Sequence, residues 1–119
     1  MAKVSYGTDK YILIAQDSDY TSLPVQVSGS AGSTIKAGTP LAGDLTARDT
    51  AFTQATGADA VGVLLHDVPL KEGETTGNGV IVYEGTIDLL KLDGSVEALI
   101  TSDVKTALKG AVKFVRGAK

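Results

Sequence analysis

The chain has no cysteine, no tryptophan and a single histidine. Without cysteine there are no disulfides, no thiolate metal sites and no cysteine nucleophile, and the redox compartment is left open. Aromatic residues make up only 5% of the 119 residues against 43% apolar overall, so the core must be built from Val, Leu, Ile and Ala. Basic residues are also short: 11 Lys and Arg face 14 Asp and Glu, for a net charge of −3. A phosphate backbone is held by a basic surface, so this balance argues against a nucleic-acid partner. Long hydrophobic runs are missing too. The longest early apolar stretch, residues 11–15, is too short for a signal-peptide core, and nothing approaches the roughly 18 residues of a membrane span. The expectation is a soluble product made in the cytoplasm, with no membrane partner. Its length fits one domain, which buries roughly two-thirds of its unfolded surface.

Catalytic vocabulary is equally sparse. His66 precedes Asp67 in a run expected to be strand, where neighbouring side chains point to opposite faces and cannot form a catalytic pair. His66 therefore reads as a strand-end residue bonded to a nearby carbonyl or to water. With no second histidine and no G-x-S-x-G, a serine or threonine nucleophile has no base to recruit. The D-S-D at Asp17, Ser18 and Asp19 matches the start of a calcium loop but lacks its Gly and its bidentate Glu. No P-loop or G-x-G-x-x-G stands between a strand and a helix. A lipoyl-type carrier would need a lysine in a turn flanked by Asp or Met, and none is present. The expectation is a non-enzyme with no catalytic residue, cofactor or metal.

What the chain does have is β pattern. The run AVGVLLHDV (60–68) is apolar on both alternating sets, as in a central strand covered on both faces. In GVIVYEGTIDLLKL (79–92), Ile81, Tyr83, Ile87 and Leu89 share one parity and Glu84, Thr86 and Asp88 the other, predicting an inward and an outward face. The segment 71–79 between them, ending in Asn78-Gly79, uses the residues of an exposed turn. The two runs are read as adjacent antiparallel strands. Gly62 and Gly85, inside strands, mark close approach or bulges. Pro40 lacks a ladder donor, so its strand is an edge or begins there; Arg48-Asp49 is a turn, and 50–56 is a short strand with Phe52 as its one large apolar side chain.

The period changes after Leu92. Val96, Leu99, Ile100, Val104, Ala107 and Leu108 form one helical stripe, with Asp93 and Ser95 at its start and Gly110 at its stop. Thr101-Ser102 can split it into two helices, since Ser102 is itself a plausible N-cap. Residues 111–116 then alternate again as a closing strand. At the other end, residues 1–34 hold apolar islands, Val4, Tyr6 and Tyr11-Ile12-Leu13-Ile14 among them, and close on the small-residue stretch SGSAGST (28–34). They are read either as edge strands or as a docking arm preceding a β-rich domain at 35–119, the stretch being the hinge candidate.

The order of AGTPLAGD (37–44), AVGVLL (60–65), VIVYEGTID (80–88) and ALKGAVKFV (107–115) resembles that of the head decoration, or capsid cement, proteins of tailed bacteriophages, the family typified by the phage lambda decoration protein. The resemblance covers about residues 35–116. It implies a mainly β (α+β) fold, a small irregular β-barrel or β-tulip-like domain with one short C-terminal helical segment and a closing strand. It further implies a homotrimer on the outer surface of an icosahedral head, a structural virion role that stabilises the capsid, and the phage major capsid protein as partner. The N-terminal arm would then augment that protein, which makes Val4, Tyr6, Tyr11, Ile12, Leu13 and Ile14 the capsid-docking candidates. Two alternatives stand beside it. The base of a head fibre would need a repeat or coiled-coil segment that the chain lacks, and a small carbohydrate-binding β-module would need exposed aromatics, of which only four Tyr and two Phe are present and scattered.

Overall fold

The computed structural model describes residues 20–47 and 49–116. Among these residues the fold is mainly β, with 42% strand and 14% helix. Eight strands run in chain order: β1 (Thr21–Ser28), β2 (Thr34–Ile35), β3 (Pro40–Ala42), β4 (Thr53–Gln54), β5 (Ala60–Leu64), β6 (Val68–Pro69), β7 (Thr76–Asp88) and β8 (Val112–Val115). A short 3-10 helix (Leu89–Lys91) and two α-helices, α1 (Gly94–Glu97) and α2 (Ser102–Ala107), lie between β7 and β8. The main sheet has the order β1-β7-β5-β3-β4, with β8 added in parallel to the C-terminal part of β7. A separate two-stranded sheet pairs β2 with β6.

The predicted central strand lies inside the sheet, antiparallel to its expected partner through Val63↔Val82 and Leu64↔Ile81. It is shorter than expected. The chain bends at Leu65 and His66, and only Val68 and Pro69 resume as β6. The turn before β7 is also earlier than expected, and Asn78-Gly79 lies within the strand. Packing explains this. A Cβ on Gly79 would stand 2.9 Å from Val27 and 3.0 Å from Leu64, so this glycine makes room for side chains rather than for a turn.

The expected division of β7 into an inward and an outward face does not hold. Ile81 and Val82 are both fully buried, on opposite faces, and Asp88 is buried as well. Two irregularities account for it. Opposite the step from Thr21 to Ser22, β7 carries one additional residue, Tyr83, and further on Gly85 adopts φ 151°. An extra residue reverses the alternation beyond it. Ile81 and Ile87, equal in parity, therefore enter different cores. The same happens in β5, where Val61 is the extra residue opposite Leu41-Ala42, so that Val61 and Val63 part company. Gly62 sits at that point because a Cβ there would come within 2.7 Å of the Val82 carbonyl oxygen.

The two cores lie on the two faces of the sheet. One joins Val63, Val82 and Ile87 to Val96, Ile100, Val104 and Leu108 of the helical segment. The other joins Val25 and Val27 of β1 to Leu41, Phe52, Leu64, Val68 and Ile81. Around the second core the sheet nearly returns on itself: Phe52 donates its N–H to Gln26 O and accepts from Ser28 N, both at 2.8 Å, in one isolated parallel bridge to Val27. The sheets are not closed into a barrel, which corrects the barrel-like expectation. With β4 only two residues long, one bridge replaces the ladder that closure requires. The expected helical segment is split into two helices at Thr101-Ser102, as the sequence allows. Asp93 caps the first, accepting from Ser95 N, and the Thr101 hydroxyl caps the second, accepting from Val104 N. Val96, Ile100, Val104 and Leu108 of the predicted stripe are buried, whereas Ala107 is exposed. Gly110, at φ 87°, ends the segment and turns the chain into β8.

Residues 21–28, part of the segment read as 1–34, are thus a strand of the main sheet, paired to β7 at eight positions. The SGSAGST stretch that follows links β1 to β2.

Candidate functional site

The six capsid-docking candidates, Val4, Tyr6, Tyr11, Ile12, Leu13 and Ile14, lie outside the described residues, as do Asp17 and Asp19. His66 is placed just beyond β5, with Nδ1 at 3.2 Å from the Asp67 carbonyl oxygen. The Asp67 carboxylate is engaged elsewhere, accepting from Ala37 N at 2.8 Å. His66 and Asp67 therefore act on separate partners, although they occupy a bend and not the strand from which the separation was inferred. Among the described residues no group of three or more His, Asp or Glu is arranged to hold a metal ion, and no helix is long and apolar enough to cross a membrane.

The carboxylates that are well placed hold the chain itself. Asp44 accepts from both the N–H and the hydroxyl of Thr46, which lowers its pKa. Asp59 loses some solvation, yet the N–H groups of Thr56 and Gly57 outweigh that and keep its pKa below the ordinary value. Asp93 is the most perturbed. The Ser95 N–H, the Ser95 hydroxyl and Lys36 Nζ at 3.0 Å hold its carboxyl at about 2. Asp93 thus caps α1 and ties it to the segment between β2 and β3. Arg116, after β8, pairs with Glu97 of α1.

No protein-family model matches the chain. No curated protein matches it either.

What the geometry does provide is a cleft of about 370 Å³ beside the Lys36–Asp93 pair. Its lining comes from the SGSAGST stretch, from Lys36 and Thr39 ahead of β3, from Gln54 of β4 and from residues 95–99. In the sequence SGSAGST reads as a linker and hinge candidate. Its density of hydroxyl groups is the one signal it carries, and these residues meet Gln54 and Leu99 only through tertiary contacts.

The Asp93 carboxyl gives a pH prediction. Its pKa is depressed on folding, so its contribution to stability is present above the unfolded value of about 4 and is lost as pH falls toward about 2. Wild-type melting temperature should decline across that interval, and Asp93→Asn should lower it at neutral pH while flattening the decline. Parallel pH profiles for the two proteins would contradict this role.

Proposed function

We propose that the chain is a non-enzymatic virion structural protein, one that binds the outer surface of a tailed-phage head as a homotrimer and stabilises it. The observation that carries the reading is the location of the four stretches on which the resemblance rests. They fall on β3, β5, β7 and β8, and these are hydrogen-bonded neighbours in that order. Motifs spread over residues 37–115 thus belong to one continuous sheet, and the supporting pattern is architectural, as expected of a protein whose work is assembly.

In this reading the docking arm is the chain before Tyr20. Val4, Tyr6 and residues 11–14 add as a strand to an exposed sheet edge of the major capsid protein, with backbone hydrogen bonds giving attachment and side chains giving register. Ordering such an arm costs about 1–2 kcal/mol per residue of backbone entropy, so one arm binds weakly. Three arms on one trimer make the later contacts intramolecular, and avidity rises by about a hundredfold or more.

The test is co-sedimentation with purified, expanded phage heads lacking their own decoration protein, alongside light scattering of the free protein. Full-length protein should saturate the heads and scatter as three chains of 12.2 kDa each. Deletion of residues 2–19 removes none of the described strands or core residues and should abolish head binding with the fold retained. Head binding by the deletion protein at full occupancy moves attachment to the β domain. Failure of the full-length protein to bind overturns the virion role.

A further inference from the structure

The cleft between the SGSAGST stretch, β4 and α1 has a chemical character that the assembly role does not use. Among the described residues Lys36 is the single charged one in the lining, and Lys36 is already paired with Asp93. The described lining is therefore close to neutral, with no free cation to hold an anion and no carboxylate to hold a metal. Polar capacity is nevertheless high. The hydroxyls of Ser28, Ser30 and Thr34 and the side-chain amide of Gln54 make no hydrogen bond to another described residue. Hydroxyl and amide groups both donate and accept, which matches a ligand that does the same. Ile35, Val96 and Leu99 add an aliphatic wall. The volume lies at the lower end of the range of about 300–1,000 Å³ typical of small-molecule sites, which pair apolar lining with a few polar groups in the same way.

We propose that this cleft binds a neutral polyhydroxylated ligand of about one sugar residue, its hydroxyls bonded to Ser28, Ser30, Thr34 and Gln54 and its less polar face against Ile35 and Leu99. Among the described residues no aromatic side chain lines the cleft, so the proposal rests on hydrogen bonds without stacking and the affinity is weak, with Kd on the order of 1 mM.

The experiment is a titration of the full-length ¹⁵N-labelled protein, followed by amide chemical shifts, with glucose, galactose and N-acetylglucosamine in turn and inorganic phosphate as the anionic probe. At least one sugar should produce saturable shifts confined to residues 28–36, Gln54 and residues 95–99, and phosphate none. The double variant Thr34→Val with Gln54→Ala, at two exposed positions, should keep the remaining spectrum and weaken that sugar about fivefold or more. Ser30→Ala, also exposed, provides a second variant with the same expected direction should the double variant fail to fold. Absence of saturable shifts with all three sugars, equal shifts with phosphate, or unchanged affinity in the folded variants would each overturn the proposal.

Discussion

Leu64→Asp should yield no folded protein. Leu64 is fully buried between Val27, Ile81 and the backbone of Gly79, where even a Cβ on the glycine would lie 3.0 Å from its Cδ1. The neighbouring backbone N–H groups are already engaged. The Leu64 N–H is bonded to Thr39 O and the Gly38 N–H to Leu64 O, and both bonds belong to the packing of β3 against β5. An unpaired charge in such a position costs a large share of the about 5–15 kcal/mol that holds a domain together, and the missing side-chain volume adds to the loss. The expected observation is aggregation on expression, or a far-ultraviolet spectrum without β signal. Ile81→Asp, on the same face, should behave alike. Leu90→Asp is the control: its side chain is 59% exposed on the turn after β7, and the change should stay within about 0.5 kcal/mol. A soluble Leu64→Asp protein melting with the wild type would show that β5 is wrongly placed.

How far the fold is legible in the sequence depends on the range of the interaction that decides each element. Helical caps act within a few residues, and Asp93 and Gly110 can be recognised as start and stop from their chemistry, whereas the second helix is capped by Thr101, one residue before the Ser102 that the sequence offers. The adjacency of β5 and β7 follows from pattern because each is apolar enough to demand cover. The phase of the alternation is a different matter. Tyr83 and Val61 carry no mark that each is unmatched by a partner residue, because a bulge is a property of two strands read together. The glycines are half legible. Gly62 and Gly85 signal an irregularity, whereas Gly79 after Asn78 imitates a turn and is explained only by Val27 and Leu64 pressing against it. The cleft was beyond reach for the same reason, since its walls are up to 71 residues apart in the chain (Ser28 to Leu99).

Phe52→Ala is expected to be the most damaging truncation of a side chain. Phe52 is fully buried in an aromatic-poor protein, and its ring lies so close over Gly43 that a Cβ there would stand 2.8 Å from its Cγ. It fills the space between Val27 of β1 and Leu41 of β3, and its backbone makes the two hydrogen bonds that bring the far edge of the sheet back to β1. Side chain and bridge therefore reinforce one another: the ring fixes residue 52 in depth, and the bridge aligns β1 against it. Removing the ring leaves a cavity bounded by rigid strands, at a cost of about 3–5 kcal/mol. For a domain of this length that corresponds to a fall in melting temperature of about 10–20 °C. Phe52→Leu should recover much of it, because a large apolar side chain is retained. Hydrogen exchange separates this local closure from general loosening. In Phe52→Ala the amides of Ser28 and Phe52 should exchange faster relative to global unfolding, while those of Val63 and Val82 remain among the slowest. A loss below about 1 kcal/mol, or acceleration spread evenly over β5 and β7, would mean that the bridge to β1 holds without the ring.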